Sequence, residues 1–187
     1  MVTLLTTGYY WNSNKIEIIK ENGDTKVYPK VSKYPLKVTK AAGASLPDKT
    51  IVICGGEDNA GRSKSKCYRL ANGQWKIFGQ LHTARFGSGG SLLGNSIWFT
   101  GGFDSNTGYR LETTEILNSD GTVTLGPNLP NDRNMHCQVT YEDTILIIGE
   151  QPFDQWYSRY LPAAFLLQGC PLQLLGHASG CKKLYGQ

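Results

Sequence analysis

The chain has 187 residues, of which 18% are charged and 40% hydrophobic, with 22 glycines and 11% aromatics. So few charges exclude a disordered solvating chain, a coiled coil and a charged helical bundle. The net charge of +4 is uneven, 14 Lys and Arg against 6 Asp and Glu over residues 1–85 but 5 against 9 over residues 86–187. Most lysines alternate with apolar residues instead of clustering with stacking aromatics, which argues against nucleic-acid binding.

Along the chain, short apolar segments alternate with turn signals. Residues 1–8 lack a basic start, a long apolar core and a cleavage site, so they do not read as a signal peptide. A strand ending at Gly8 is followed by Lys15–Ile19, the turn Asn22-Gly23-Asp24 and a further strand over Thr25–Tyr28. The series then repeats. Ala41–Ala44 is small-residue strand, Ile51–Cys54 ends in Gly55-Gly56, and Lys66–Leu70 leads through Asn72-Gly73 to Gln74–Phe78. It repeats again through Ser88–Ser91, Ile97–Thr100 with Gly101-Gly102, Thr114–Leu117, Asp120-Gly121 and Thr122–Leu125. A last apolar run, Ile145–Ile148, ends in Gly149. The glycines at 8, 55, 101 and 149 are 47, 46 and 48 residues apart. In step with them run Leu36-x-x-x-Lys40, Leu81-x-x-x-Arg85 and Leu129-x-x-x-Arg133. Four strands per unit at this period predict an all-β fold of four-stranded antiparallel sheets, with a β-sandwich of similar strand count as the alternative.

The period, the strand ending in Gly-Gly, Tyr68 and Trp75 seven apart, and the Leu-x-x-x-Arg entry to each unit resemble kelch repeats, over roughly residues 2–150. The resemblance implies a partial kelch-type β-propeller with blades near 2–36, 38–81 and 84–130 and a half blade at 134–150. It also implies that Gly8, Gly55, Gly56, Tyr68, Trp75, Gly101, Gly102 and Gly149 are structural. Lys40, Arg85 and Arg133 are then expected at equivalent positions around one mouth of the channel. There they either form an arc of cations for an acidic segment of a protein partner or anchor turns by bonding carbonyls.

Residues 151–187 carry no such pattern and are expected to be an aberrant or disordered tail, either a real extension or the product of a splicing or frame change. The charge-free stretch Leu161–Cys181 is interrupted by Pro162, Gln168, Pro171 and His177, a poor membrane span. An open arc of blades is expected to self-associate through its end faces.

No catalytic constellation, metal set or cofactor motif is recognisable. Gly56–Ser63 approximates a phosphate loop, but Arg62 replaces the lysine, and Glu57 and Asp58 would repel phosphate. Glu112 and Glu115 read as solvated. Protein-binding candidates are the cations above together with Glu57, Asp58, Arg62, Asp104, Tyr109 and Arg110, on loops that come after the glycine doublets. Cys54 ends one strand and Cys67 opens the neighbouring one, which brings them within range of a candidate disulfide, the alternative being buried free thiols. The expected function is a non-catalytic binding module belonging to a longer protein, the alternatives being a truncated product without activity or a fragment of a secreted kelch-like protein or enzyme. Cytoplasm is the default compartment, an extracellular parent the alternative.

Overall fold

In a computed structural model of the chain, the structure describes residues 2–6, 14, 16–20, 25–26 and 31–149. Gly8 and residues 151–187 lie outside the described residues, and so do the expectations placed on them. The described part is all-β, and every strand pair is antiparallel.

Strands β1 (Val2–Thr6), β2 (Ile16–Lys20) and β3 (Thr25–Lys26) form a three-stranded sheet. β4 (Ala42–Ser45), β5 (Ile51–Cys54), β6 (Lys66–Ala71) and β7 (Gln74–Gln80) form a four-stranded sheet in simple sequential order. The next sheet repeats that order: β8 (Gly89–Leu93) and β9 (Ser96–Thr100) come first. A small excursion intervenes, β10 (Phe103–Asp104) paired with β11 (Tyr109–Arg110), and then β12 (Thr114–Leu117) and β13 (Val123–Leu125) complete the sheet. β14 (Cys137–Tyr141) and β15 (Thr144–Ile148) form a two-stranded pair.

β5 is buried on both faces of its sheet, which is why it is a continuous apolar run and not an alternating one. Val52, Cys54 and Cys67 point into a core shared with Ile97, Phe99 and Leu117 of the next sheet. Ile53 and Tyr68 point the other way, into a cluster with Ile16, Tyr34 and Val38. There Trp75 and Tyr68 meet the Tyr34 ring edge-on, at centroid distances of 4.9 and 5.5 Å.

The first strands of successive sheets lie side by side, β4 beside β8 and β8 beside β14. Small residues make this close approach possible: a Cβ on Gly90 would stand 3.1 Å from the Gly43 nitrogen. Ahead of each of these strands one residue has a left-handed backbone: Lys40 (φ 56°), Gly87 (φ 62°) and Met135 (φ 56°). Their main chains are linked in series, Gly87 N–H donating to Lys40 O at 2.9 Å and Met135 N–H to Gly87 O at 2.7 Å.

This linkage corrects the repeat frame. Lys40 is equivalent to Gly87 and Met135, and the residue equivalent to Arg85 and Arg133 is Val38, two positions earlier. The isolated bridges agree, Thr39 with Glu57 matching Phe86 with Phe103. The three cations therefore do not form a ring of equivalent residues.

Candidate functional site

The glycine doublets turn the chain out of β5 and β9, and the loops beyond them build the most elaborated surface of the described residues. Gly56 (φ 98°) and Gly102 (φ 104°) adopt a backbone that side-chain-bearing residues avoid. Gly56 N–H donates to Arg85 O at 2.9 Å and Gly102 N–H to Arg133 O at 2.8 Å, so each doublet seats the start of the next unit.

Beyond the first doublet, Asp58 organises its loop. Its carboxylate accepts Ala60 N–H at 2.9 Å and Arg62 N–H at 3.0 Å, and it pairs with Lys64 at 2.5 Å and Arg62 at 2.9 Å. The Lys64 ammonium above all, then the Arg62 amide, holds this carboxyl well below the usual carboxylate range. Asp58 is thus committed to its own loop, while the Arg62 side chain stays 70% exposed. Cys54 and Cys67 close the base of the same loop. They are opposite one another in the β5–β6 register, and Gly55 N–H bonding to Lys66 O marks them as a non-hydrogen-bonded pair, the closer kind. Their Cα atoms are 4.1 Å apart and their Sγ atoms are bonded.

The two loops meet. Ser63 N–H donates to Ser105 Oγ at 2.7 Å, and Ser105 N–H returns to Ser63 Oγ at 2.8 Å. Beside this exchange the Phe86 and Phe103 rings lie 5.3 Å apart, with the Lys40 ammonium 4.8 Å from the Phe86 centroid and 2.7 Å from Glu57. Tyr109, 72% exposed, opens β11 opposite Asp104, and Arg110 after it is half-buried. Lys40, Phe86, Phe103 and the Ser63–Ser105 exchange thus form one continuous end of the sheets.

The structure corrects three sequence expectations. Arg85 is fully buried and cannot meet a partner. Its guanidinium bonds Gly101 O at 2.8 Å, Thr113 O at 3.0 Å and Glu115 Oε1 at 2.5 Å. Glu115, expected at a solvated edge, is equally buried, and its carboxylate also accepts His82 N–H at 2.6 Å and Thr83 N–H at 3.0 Å. Asp104 is 5% exposed and accepts Asn106 N–H at 2.9 Å, so it shapes a turn and presents nothing outward. Arg133 is half-buried, and its Nε has no hydrogen-bond partner.

A second polar cluster joins β14 to the third sheet. Gln138 Nε2 donates to Ser91 Oγ at 2.8 Å and Trp98 O at 2.9 Å, and Thr100 Oγ1 lies 2.9 Å from His136 Nε2. Burial first, then the nearby Arg133, lowers the His136 pKa to about 4. Among the described residues no group of three or more His, Cys, Asp or Glu is placed to hold a metal ion, and no helix is long and apolar enough to cross a membrane.

The sequence matches no family model and no curated protein. Solved structures do match. One described as the structure of YjhT superimposes with a TM-score of 0.64 at 13% identity, covering 75% of this chain and 46% of that one. The likeness is one of fold, and the chain spans less than half the length of that structure.

Proposed function

We propose that the chain is a non-catalytic, kelch-type protein-binding module, a fragment or truncated form of a longer β-propeller protein. The observation that carries this reading is the recurrence of one four-stranded unit, in sheets β4–β7 and β8–β13, with each Gly-Gly seating the next unit. The loops after the doublets are the binding surface. Arg62, 70% exposed, supplies a cation paired with Asp58, Lys40 a cation shared with Glu57, Tyr109 a flat aromatic anchor, and Phe86 and Phe103 a fixed base. The partner that fits is a protein segment with acidic side chains; nucleic acid and membrane are not its targets. Exposed sheet faces give a second mode, self-association.

The test is a fluorescence binding measurement with acidic peptides on the full chain and on Lys40→Glu, Arg62→Glu and Tyr109→Ala variants. Each variant is expected to weaken binding about tenfold, the share of a single interface anchor. Equal binding by all three variants overturns the loop-end site, and a chain that binds no acidic peptide is the expected outcome of the rival reading, a product without activity of its own.

A further inference from the structure

One pair of facing positions recurs through the molecule with its chemistry changed. The second sheet has Val38 and Tyr68, which share an apolar cluster. The third has Arg85 and Glu115 at the same places, ion-paired and both fully buried. At the fourth the first member is Arg133, and no described residue supplies the second.

The surroundings of Arg133 are left open in the same way. Arg133 Nε, Asn134 Oδ1 and His136 Nδ1 are buried without a hydrogen-bond partner, His136 being only 5% exposed. A Cβ on Gly55 or Gly101 would collide with the carbonyl of Arg85 or Arg133, yet one on Gly149, equally left-handed at φ 84°, would meet no atom within 4 Å beyond its chain neighbours. β15 pairs with β14 on one edge and with no described strand on the other, and it exposes Leu146 (41%) and Ile148 (60%). A groove of about 320 Å³ lined by Leu93, Trp98, Leu129, Ile145 and Ile147 runs between β15 and the third sheet.

We propose that β15 is an acceptor edge for an extended segment of a partner protein, which adds antiparallel and places a carboxylate opposite Ile147 to pair with Arg133. The register comes from the third sheet, where Glu115 stands opposite Phe99, and Phe99 and Ile147 both lie two residues before their glycines. Main-chain bonds along the edge give affinity, and the half-buried Arg133 selects the acid. The segment that fits has the pattern of Thr114-Glu115-Ile116-Leu117: one acid inside an otherwise uncharged, apolar strand. Pro130 stands where His82 stands in the third unit, so the incoming carboxylate has one N–H donor fewer than Glu115 has. This proposal rests on the reading of the chain as a binding module for acidic segments and moves the decisive contact from the loop end to a sheet edge.

The experiment uses the full chain and a fluorescently labelled peptide copying residues 113–118. Two further peptides carry Glu115→Gln or N-methylated alternate amides. The native peptide is expected to bind, the Gln peptide at least tenfold more weakly, and the N-methylated peptide not at all. Arg133→Met is expected to weaken the native peptide by the same factor with no further loss for the Gln peptide; should that variant not fold, the peptide series on the unaltered chain decides. Hydrogen exchange is expected to show the outward amides of Thr144–Ile148 unprotected until peptide is added. Equal binding of the Glu and Gln peptides, binding of the N-methylated one, no binding, or protection before peptide is added (the edge then being covered by the chain itself or by a second copy) overturns the proposal. Binding that ignores all of these changes but is lost with Lys40→Glu or Tyr109→Ala overturns the acceptor edge and leaves the loop-end reading standing.

Discussion

Arg85 and Glu115 fill the space that Val38 and Tyr68 fill one unit earlier, so the fold solves the same packing problem once with apolar atoms and once with charge. A buried ion pair is hard to break and easy to replace, because removing one partner strands the other charge in a place water cannot reach. Glu115→Gln is therefore expected to destabilise the chain by about 3–5 kcal/mol in urea unfolding. The double substitution Arg85→Val with Glu115→Tyr, which copies the earlier unit, is expected to recover most of that loss. A double variant no more stable than the single one means that the two sites are not interchangeable. His136 gives a second expectation at this scale. Its folded pKa of about 4 lies below the ordinary 6.5, so the folded state holds it neutral. Its contribution is complete above about pH 6.5 and is lost as pH falls toward 4, a decline of about 3 kcal/mol that thermal melts across this range would register and that His136→Gln should flatten.

Among the elements, the β5–β6 hairpin depends most on a covalent tie. Cys54 and Cys67 are 13 residues apart, and closing a loop of that size stabilises by about 3 kcal/mol through the unfolded chain. Reduction, or Cys67→Ser, is expected to lower the unfolding free energy by about that amount, and mass spectrometry of unreduced material should find both thiols blocked to alkylation. The strands themselves were readable. Glycine-terminated apolar runs and Asn-Gly or Asp-Gly turns predict Ile51–Cys54, Lys66–Leu70 and Thr114–Leu117, and the observed β5, β6 and β12 match them to within a residue. The β10–β11 pair escaped because two-residue strands leave no alternation to detect. The frame around Lys40 was misread for a different reason. Counting back from the glycines gives 15 residues to Lys40 but 16 to Arg85 and Arg133, and the true marker is a left-handed backbone, which Lys40, Gly87 and Met135 share without any common side chain.

At the scale of the molecule, the site was legible in part. Loops after the doublets were identifiable from sequence, and Tyr109 and Arg62 are exposed there. The burial of Glu115 and Asp104 was not, because charge alone suggests solvent. A signal for Glu115 existed in Tyr68, the residue at the same place one unit earlier, since a position that holds a core tyrosine in one repeat is interior in the next. Asp104-x-Asn106 likewise has the spacing of a side chain that bonds its own backbone two residues on.

The main-chain relay from Lys40 to Gly87 to Met135 has a mechanical consequence. The middle unit both receives a bond from its successor and gives one to its predecessor, so cohesion among the described units is handed along from neighbour to neighbour. A disturbance at one junction then loosens the adjoining unit before it reaches a distant one, and melting travels as a front from whichever unit lacks a neighbour.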